Sequence, residues 1–198
     1  MTDKPTLAFT IGQGDWAAEI RRFAVKIDHD YWDGFHPVDE DELHRLEKAI
    51  NRQLPDDYKL FMRTFGAGNF VHGGGLSNPD DVIAGCAGPL WMCLDSFSWA
   101  TEEQHRQFYI SRGKINPAPD KYTAAAIVYK GVNLLDLVQI GSDGSCNYHQ
   151  LCVGTEPRPF GYCLLADGGY IEDAKPTFTD GLKNILIQHW TWKNIPEI

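Results

Sequence analysis

The chain has 198 residues, enough for one sizeable domain or a domain with an extension and too few for two full domains. Its 18 basic and 27 acidic residues give a net charge of −9, which argues against nucleic acid or an anionic membrane as the main partner and permits a basic one. Five cysteines (Cys86, Cys93, Cys146, Cys152, Cys163) form no Cys-x-x-Cys pair, the N-terminus lacks the features of a secretory signal, and no apolar run approaches the ~20 residues needed to cross a bilayer, so a cytoplasmic protein that spans no membrane is expected.

The first predicted element is a helix capped by Asp15, with Trp16, Ile20, Phe23 and Ile27 along one face. It leads into an aperiodic acidic and aromatic stretch, Asp28-His29-Asp30-Tyr31-Trp32-Asp33-Gly34-Phe35-His36-Pro37, which reads as a surface loop. Asp39 and Glu42 then stand at capping-box spacing, with Val38 and Leu43 at the staple positions. Leu43, Leu46 and Ile50 share one face of the helix that follows, and His44, Arg45, Glu47 and Lys48 are expected to point to water. Leu54-Pro55-Asp56-Asp57-Tyr58 restarts a second helix at Pro55. Its acidic first turn suits the positive end of the dipole, its apolar stripe is Tyr58, Phe61, Met62 and Phe65, and Gly66 ends it.

The stretch from Gly66 to Gly75 cannot be a helix interior and reads as irregular, and Asn78-Pro79-Asp80-Asp81 reads as a turn. A further helix is expected from Ser98 or Thr101 to Gly113. From Ala124 onward the period becomes extended, with strands predicted at residues 126–129, 135–140, 148–153 and 161–165. Gly141-Ser142-Asp143-Gly144-Ser145 is the clearest hairpin turn, because Asp-Gly tolerates positive φ, and an antiparallel meander follows from it. Thr177 or Thr179 caps a last helix with Phe178, Leu182, Ile185, Leu186 and His189 on its inner face. Helices, then strands, then a helix make a single α+β domain, mostly antiparallel, with residues 1–37 as an N-terminal extension and 38–198 as the domain proper.

Taken in order, the helix around Leu46-Glu47, the run Leu54-Pro55-Asp56-Asp57-Tyr58-Lys59-Leu60-Phe61, Gly66 and Gly68, Ile140-Gly141-Ser142-Asp143-Gly144, and Thr177-Phe178-Thr179-Asp180-Gly181-Leu182 resemble the SUKH superfamily, which includes a fungal cell-wall synthesis regulator. The resemblance covers roughly residues 38 to 190. It implies an α+β protein-binding module, and for the many bacterial members an immunity protein that neutralises a cognate toxin by stoichiometric binding. Cys146 departs from the pattern where a glycine is frequent, as does Gln150 near a position often held by an acid.

Chemical alternatives carry less. Cys146, His149 and Cys152 lie close in sequence, but side chains alternate along a strand, so His149 and Cys152 face opposite ways and zinc is disfavoured. A cysteine nucleophile paired with His72, His149 or His189 is one of many chance pairings that five cysteines and seven histidines offer. Gly73-Gly74-Gly75 lacks the strand before it and the Lys-Ser or Lys-Thr after it that a phosphate loop needs. No catalytic residue, metal or cofactor is therefore assigned. The candidate partner surface is the acidic-aromatic segment, with Asp28, Asp30, Tyr31, Trp32, Asp33, Phe35, Asp39, Glu40 and Asp41 as its residues: rings as anchors, acids steering a basic partner, in the resemblance a toxin domain. The alternative for the same segment is a solvated loop and helix start whose rings fold back on the core. The alternatives are a scaffold or regulatory domain without a toxin and a small Cys-His hydrolase. Oligomeric state stays open.

Overall fold

Five helices and eight strands are present among the residues that the computed structural model describes, which are 5–87, 128–129, 132–133, 136–154, 157–166 and 170–194. The predicted helix from 98 or 101 to 113 lies outside them.

Helix α1 (Trp16–Ala24) buries Trp16, Ile20 and Phe23. Asp15 sits at its N-cap position but makes no side-chain cap bond; its carbonyl accepts from Glu19 N–H instead. Helix α2 (Glu40–Ile50) has the full capping box: Glu42 N–H donates to Asp39 Oδ1 at 2.7 Å and Asp39 N–H to Glu42 Oε2 at 3.1 Å. Glu47 does not face water as its position on the helix predicts. It is buried, accepts from Leu54 N–H at 2.9 Å and pairs with Lys59 at 3.2 Å, so a carboxylate ties the end of α2 to the start of the next helix. Burial opposes the charge on Lys59, but its bonds to Glu47 and Asp56 outweigh that and raise the pKa of its ammonium group.

Helix α3 (Asp56–Thr64) begins one residue after Pro55 and buries Tyr58, Phe61 and Met62. Gly66 follows at φ 92°, and a Cβ there would lie 1.7 Å from the His36 carbonyl oxygen, so only glycine fits between helix end and the 36–37 backbone. The glycine-rich stretch beyond it is not irregular throughout: β1 (Gly68–Asn69) and β2 (Gly75–Leu76) form a short hairpin. The predicted turn at Asn78 is likewise a helix start, α4 (Pro79–Ala87). Asn78 Oδ1 accepts from Asp81 N–H at 2.9 Å, Pro79 takes the first helical position, and Asp80 and Asp81 fill the first turn. The correction has a simple cause, because Asn-Pro-Asp-Asp starts a turn or a helix equally well, and packing of α4 against α2 and the sheet selects the helix.

A two-stranded ladder, β3 (Val128–Tyr129) with β4 (Val132–Asn133), puts the described end of the first predicted strand in a sheet separate from the main one. Strands β5 (Leu137–Ser142), β6 (Tyr148–Cys152), β7 (Tyr162–Leu165) and β8 (Ile171–Lys175) form the expected antiparallel meander, to which β2 and β1 add on the β5 side in the order β1-β2-β5-β6-β7-β8. The β5–β6 turn is built on Asp143, which accepts from Ser145 N–H at 2.9 Å and Asn147 Nδ2 at 2.7 Å, with Gly144 at φ 81°. Strand β8 escapes sequence reading because only Ile171 of its residues is buried. It is a charged edge strand, bulged against β7, with Asp173 at φ 46°. The last helix, α5 (Phe178–Lys193), is capped by Thr177, while Thr179 turns inward: its N–H and hydroxyl donate to Asp57 Oδ2 at 2.8 and 3.0 Å.

One face of the sheet, through Val138, Ile140, Leu151 and Tyr162, joins the core made by α1, α2, α3 and α5. The other face is buried too, through Leu137, Cys152, Cys163 and Leu165. Phe9, Ile20, Ile27, Tyr31 and Phe35 belong to the same core as the residues after 38.

Candidate functional site

The acidic-aromatic segment divides by residue type. Tyr31 and Phe35 are 1% and 7% exposed, and Trp32 packs against the core between them. The Trp32 ring lies 4.8 Å from Tyr31, 4.8 Å from Phe35 and 4.7 Å from Phe65, centroid to centroid, and Phe35 lies 5.1 Å from Phe70. The contacts of Trp32 with Tyr31 and Phe35 are edge-to-face, an arrangement that adds about 1 kcal/mol each beyond area burial. The Tyr31 hydroxyl bonds His189 Nδ1 inside α5, and burial raises the Tyr31 pKa. Hydrophobic burial has turned Tyr31 and Phe35 inward and packed Trp32 between them, so the rings of this loop plug the core beneath it.

The acids stay outside. Asp30, Asp33, Asp39 and Asp41 are exposed, and Asp28 and Glu40 are part-exposed. Asp28 accepts from Asp30 N–H at 3.0 Å, and this bond holds its carboxyl below the usual range. Glu40 bonds Arg63 and approaches His44 at 3.4 Å. Asp33 and Asp41 make no side-chain bond among the described residues, leaving their charge to solvent. The segment is thus divided between rings packed on the core and acids that face solvent.

Beside it runs a groove of about 700 Å³ between the 34–38 segment and the start of α4, across β1, β2 and β5. Glu42, Asp80 and Asp81 line it, with His36, Asn69 and Gln139. None of the nine residues assigned from sequence does so, although Gly34 and Glu42 of the same segment do. Asp80 and Asp81 had a local signal, the helix-start pattern at Asn78, but their meeting with Glu42 depends on the packing of α4 on α2.

Among the described residues the chemical alternatives are not assembled. Cys146 is exposed in the hairpin turn, Cys152 is buried, and His149 stacks on Tyr162 with Nδ1 2.7 Å from its hydroxyl. Burial lowers the His149 pKa to about 4 and raises the Cys163 thiol well above its ordinary value, which disfavours both the imidazolium and the thiolate. His189 is lowered to about 4 by burial, with His72 acting in the same direction. Among the described residues, the one group of ligand-type side chains gathered within 4.8 Å is Asp28, His29 and Asp30. It is largely exposed, and Asp28 is already occupied by a backbone N–H. Among the described residues no helix is long and apolar enough to cross a membrane.

No curated protein matches the chain. The model of the SMI1 / KNR4 family (SUKH-1) matches residues 37–184, from the segment that closes on Gly66 to the middle of α5, and membership of this family is consistent with a protein-binding module of the immunity type. With a match over most of its length and the α+β architecture described above, the chain belongs to the SMI1 / KNR4 family (SUKH-1).

Proposed function

We propose that this chain is an immunity protein that neutralises a bacterial toxin by binding it stoichiometrically and occluding its working surface, without transforming a substrate. The observation that carries this reading is the acidic segment: seven carboxylates between residues 28 and 42, no lysine or arginine among them, on a stretch whose aromatic rings pack into the core. A rigid, pre-charged surface loses little conformational entropy on binding and steers a basic partner at long range. Many toxins act on nucleic acid and carry basic clefts, for which such a surface is the electrostatic complement. Cys146, Cys152 and Cys163 form no disulfide with one another, which favours a reducing cytoplasm as the place of action. The rings act only as support, so binding energy comes from the acids and what surrounds them.

Co-purification from the native cell identifies the partner. With that partner in hand, replacing Asp30, Asp33 and Asp41 together by Asn is expected to slow association about tenfold at low ionic strength and to flatten its salt dependence, leaving dissociation nearly unchanged. Stopped-flow association traces that coincide for the triple variant and the parent would exclude this segment from the encounter.

A further inference from the structure

The groove beside the acidic surface owes its shape to glycines. Gly34, Gly68, Gly75 and Gly141 line it, and the last three are held against neighbouring backbone: a Cβ on Gly68 would lie 2.2 Å from the Gly34 carbonyl oxygen, one on Gly75 2.3 Å from that of Gly68, and one on Gly141 2.0 Å from that of Gly75. Internal packing therefore demands glycine at 68, 75 and 141, and the consequence is a stretch of floor without side chains at these positions, against which an extended chain can lie closely.

Three carboxylates line the same groove, and each has one oxygen to spare. Glu42 spends Oε2 on Asp39 N–H, Asp80 spends Oδ1 on Arg45 at 2.7 Å, and Asp81 spends Oδ2 on the Asn78 amide at 2.8 Å. Their second oxygens have no partner among the described residues. Asn69, Ser77, Gln139 and Ser142 add amides and hydroxyls, and no lysine or arginine is found among the described residues lining the groove. The two halves of this site come from separate parts of the chain, residues 34–42 and 68–81, joined by β5.

We infer that this groove receives a lysine- or arginine-bearing extended segment of the protein partner, whose cationic groups reach Glu42, Asp80 and Asp81 while its backbone lies over the glycine floor. The inference rests on the proposed function in taking the partner to be a basic protein, and it adds where and by what chemistry contact is made. A carboxylate pair or triad on a polar floor favours a guanidinium or ammonium group over an apolar or anionic one.

The full chain titrated with a short labelled peptide of alternating lysine and glycine, and with its glutamine-glycine counterpart, provides the test, read by fluorescence anisotropy and by amide shifts in NMR. The lysine peptide is expected to bind and to shift the amides of Gly68, Gly75 and Gly141, and the glutamine peptide to do neither. The triple variant Glu42→Gln, Asp80→Asn, Asp81→Asn keeps most local hydrogen bonds and should weaken binding about tenfold or more. Asp15→Asn, Glu19→Gln, Glu172→Gln removes the same charge from exposed positions that do not line the groove and should weaken it less than about threefold, since screening confines charge effects to roughly 10 Å. Asn69→Lys, at an exposed position on β1, places a competing ammonium group in the groove and should also weaken binding. Equal losses in the two triple variants, or amide shifts confined to other surfaces, would overturn the inference. Full-strength neutralisation of a co-purified toxin by the groove variant overturns the groove and leaves the immunity reading standing. Groove-dependent binding of a partner that is no toxin does the reverse.

Discussion

His149 and His189 are two imidazoles sealed in the interior, each 3% exposed and each bonded to a tyrosine hydroxyl, of Tyr162 and Tyr31. Burial lowers both pKa values from 6.5 to about 4. Between those values the unfolded chain binds protons that the folded chain refuses, so the stability these residues contribute is complete above pH 6.5 and is lost as pH falls toward 4. At pH 5 the loss is on the order of 2 kcal/mol for each. Urea unfolding should therefore give a clearly lower free energy at pH 5 than at pH 7.5, and His189→Gln, which removes one of the two groups, should reduce that difference by about half. A protein equally stable at both values would mean that the imidazoles are already protonated or solvated in the native state. Sequence periodicity placed His189 on the inner face of α5, as found, but nothing near it in the chain announces Tyr31, which is 158 residues away.

At the scale of elements, the helices read best where a cap marks them. Asp39 with Glu42 and Thr177 with Asp180 are reciprocal, local and visible in sequence, and the structure has both. Local chemistry was not enough at Asn78, where the same Pro-Asp-Asp pattern that opens α3 opens α4, nor at β1, β2 and β8, which are too short or too exposed to carry a period. Asp57 shows how elements lock to one another: Oδ1 takes the N–H of its own neighbour Tyr58 at 3.0 Å, while Oδ2 takes both donors of Thr179 at the start of α5, 122 residues on. Asp57→Ala leaves a buried N–H and hydroxyl without an acceptor and should cost about 2–3 kcal/mol in denaturant unfolding. Asp56→Ala, one position away and fully exposed, should cost under about 1 kcal/mol, and equal effects would show that α3 and α5 are not coupled through Asp57.

Across the whole molecule, the segment before residue 37 supplies Trp16, Ile20, Phe23, Ile27, Tyr31 and Phe35 to the one core. The family match begins at 37, yet the rings of Phe61, Phe65 and Phe70 lean on Trp32 and Phe35. A chain starting at Val38 would expose that aromatic face and lose several kilocalories per mole of burial at roughly 25 cal/mol per Å², so it is expected to bind a hydrophobic dye and to aggregate, measured by dye fluorescence and gel filtration against the full chain. A monomeric, cooperatively melting truncation would show instead that residues 38 onward hold together alone. Residues 28–37 form the expected loop with its acids outside, but its rings turn inward, because charge density and ring density point to opposite sides of the surface and composition does not say which side chain goes where. What the chain by itself determined was the α+β class, the capped helices, the Asp143 hairpin and the meander, because caps, turns and alternating faces act between residues a few positions apart. Only the tertiary structure decided that the rings turn inward, that α4 is a helix and that Glu42 meets Asp80 and Asp81 over a glycine floor, because those outcomes depend on which distant surfaces bury one another.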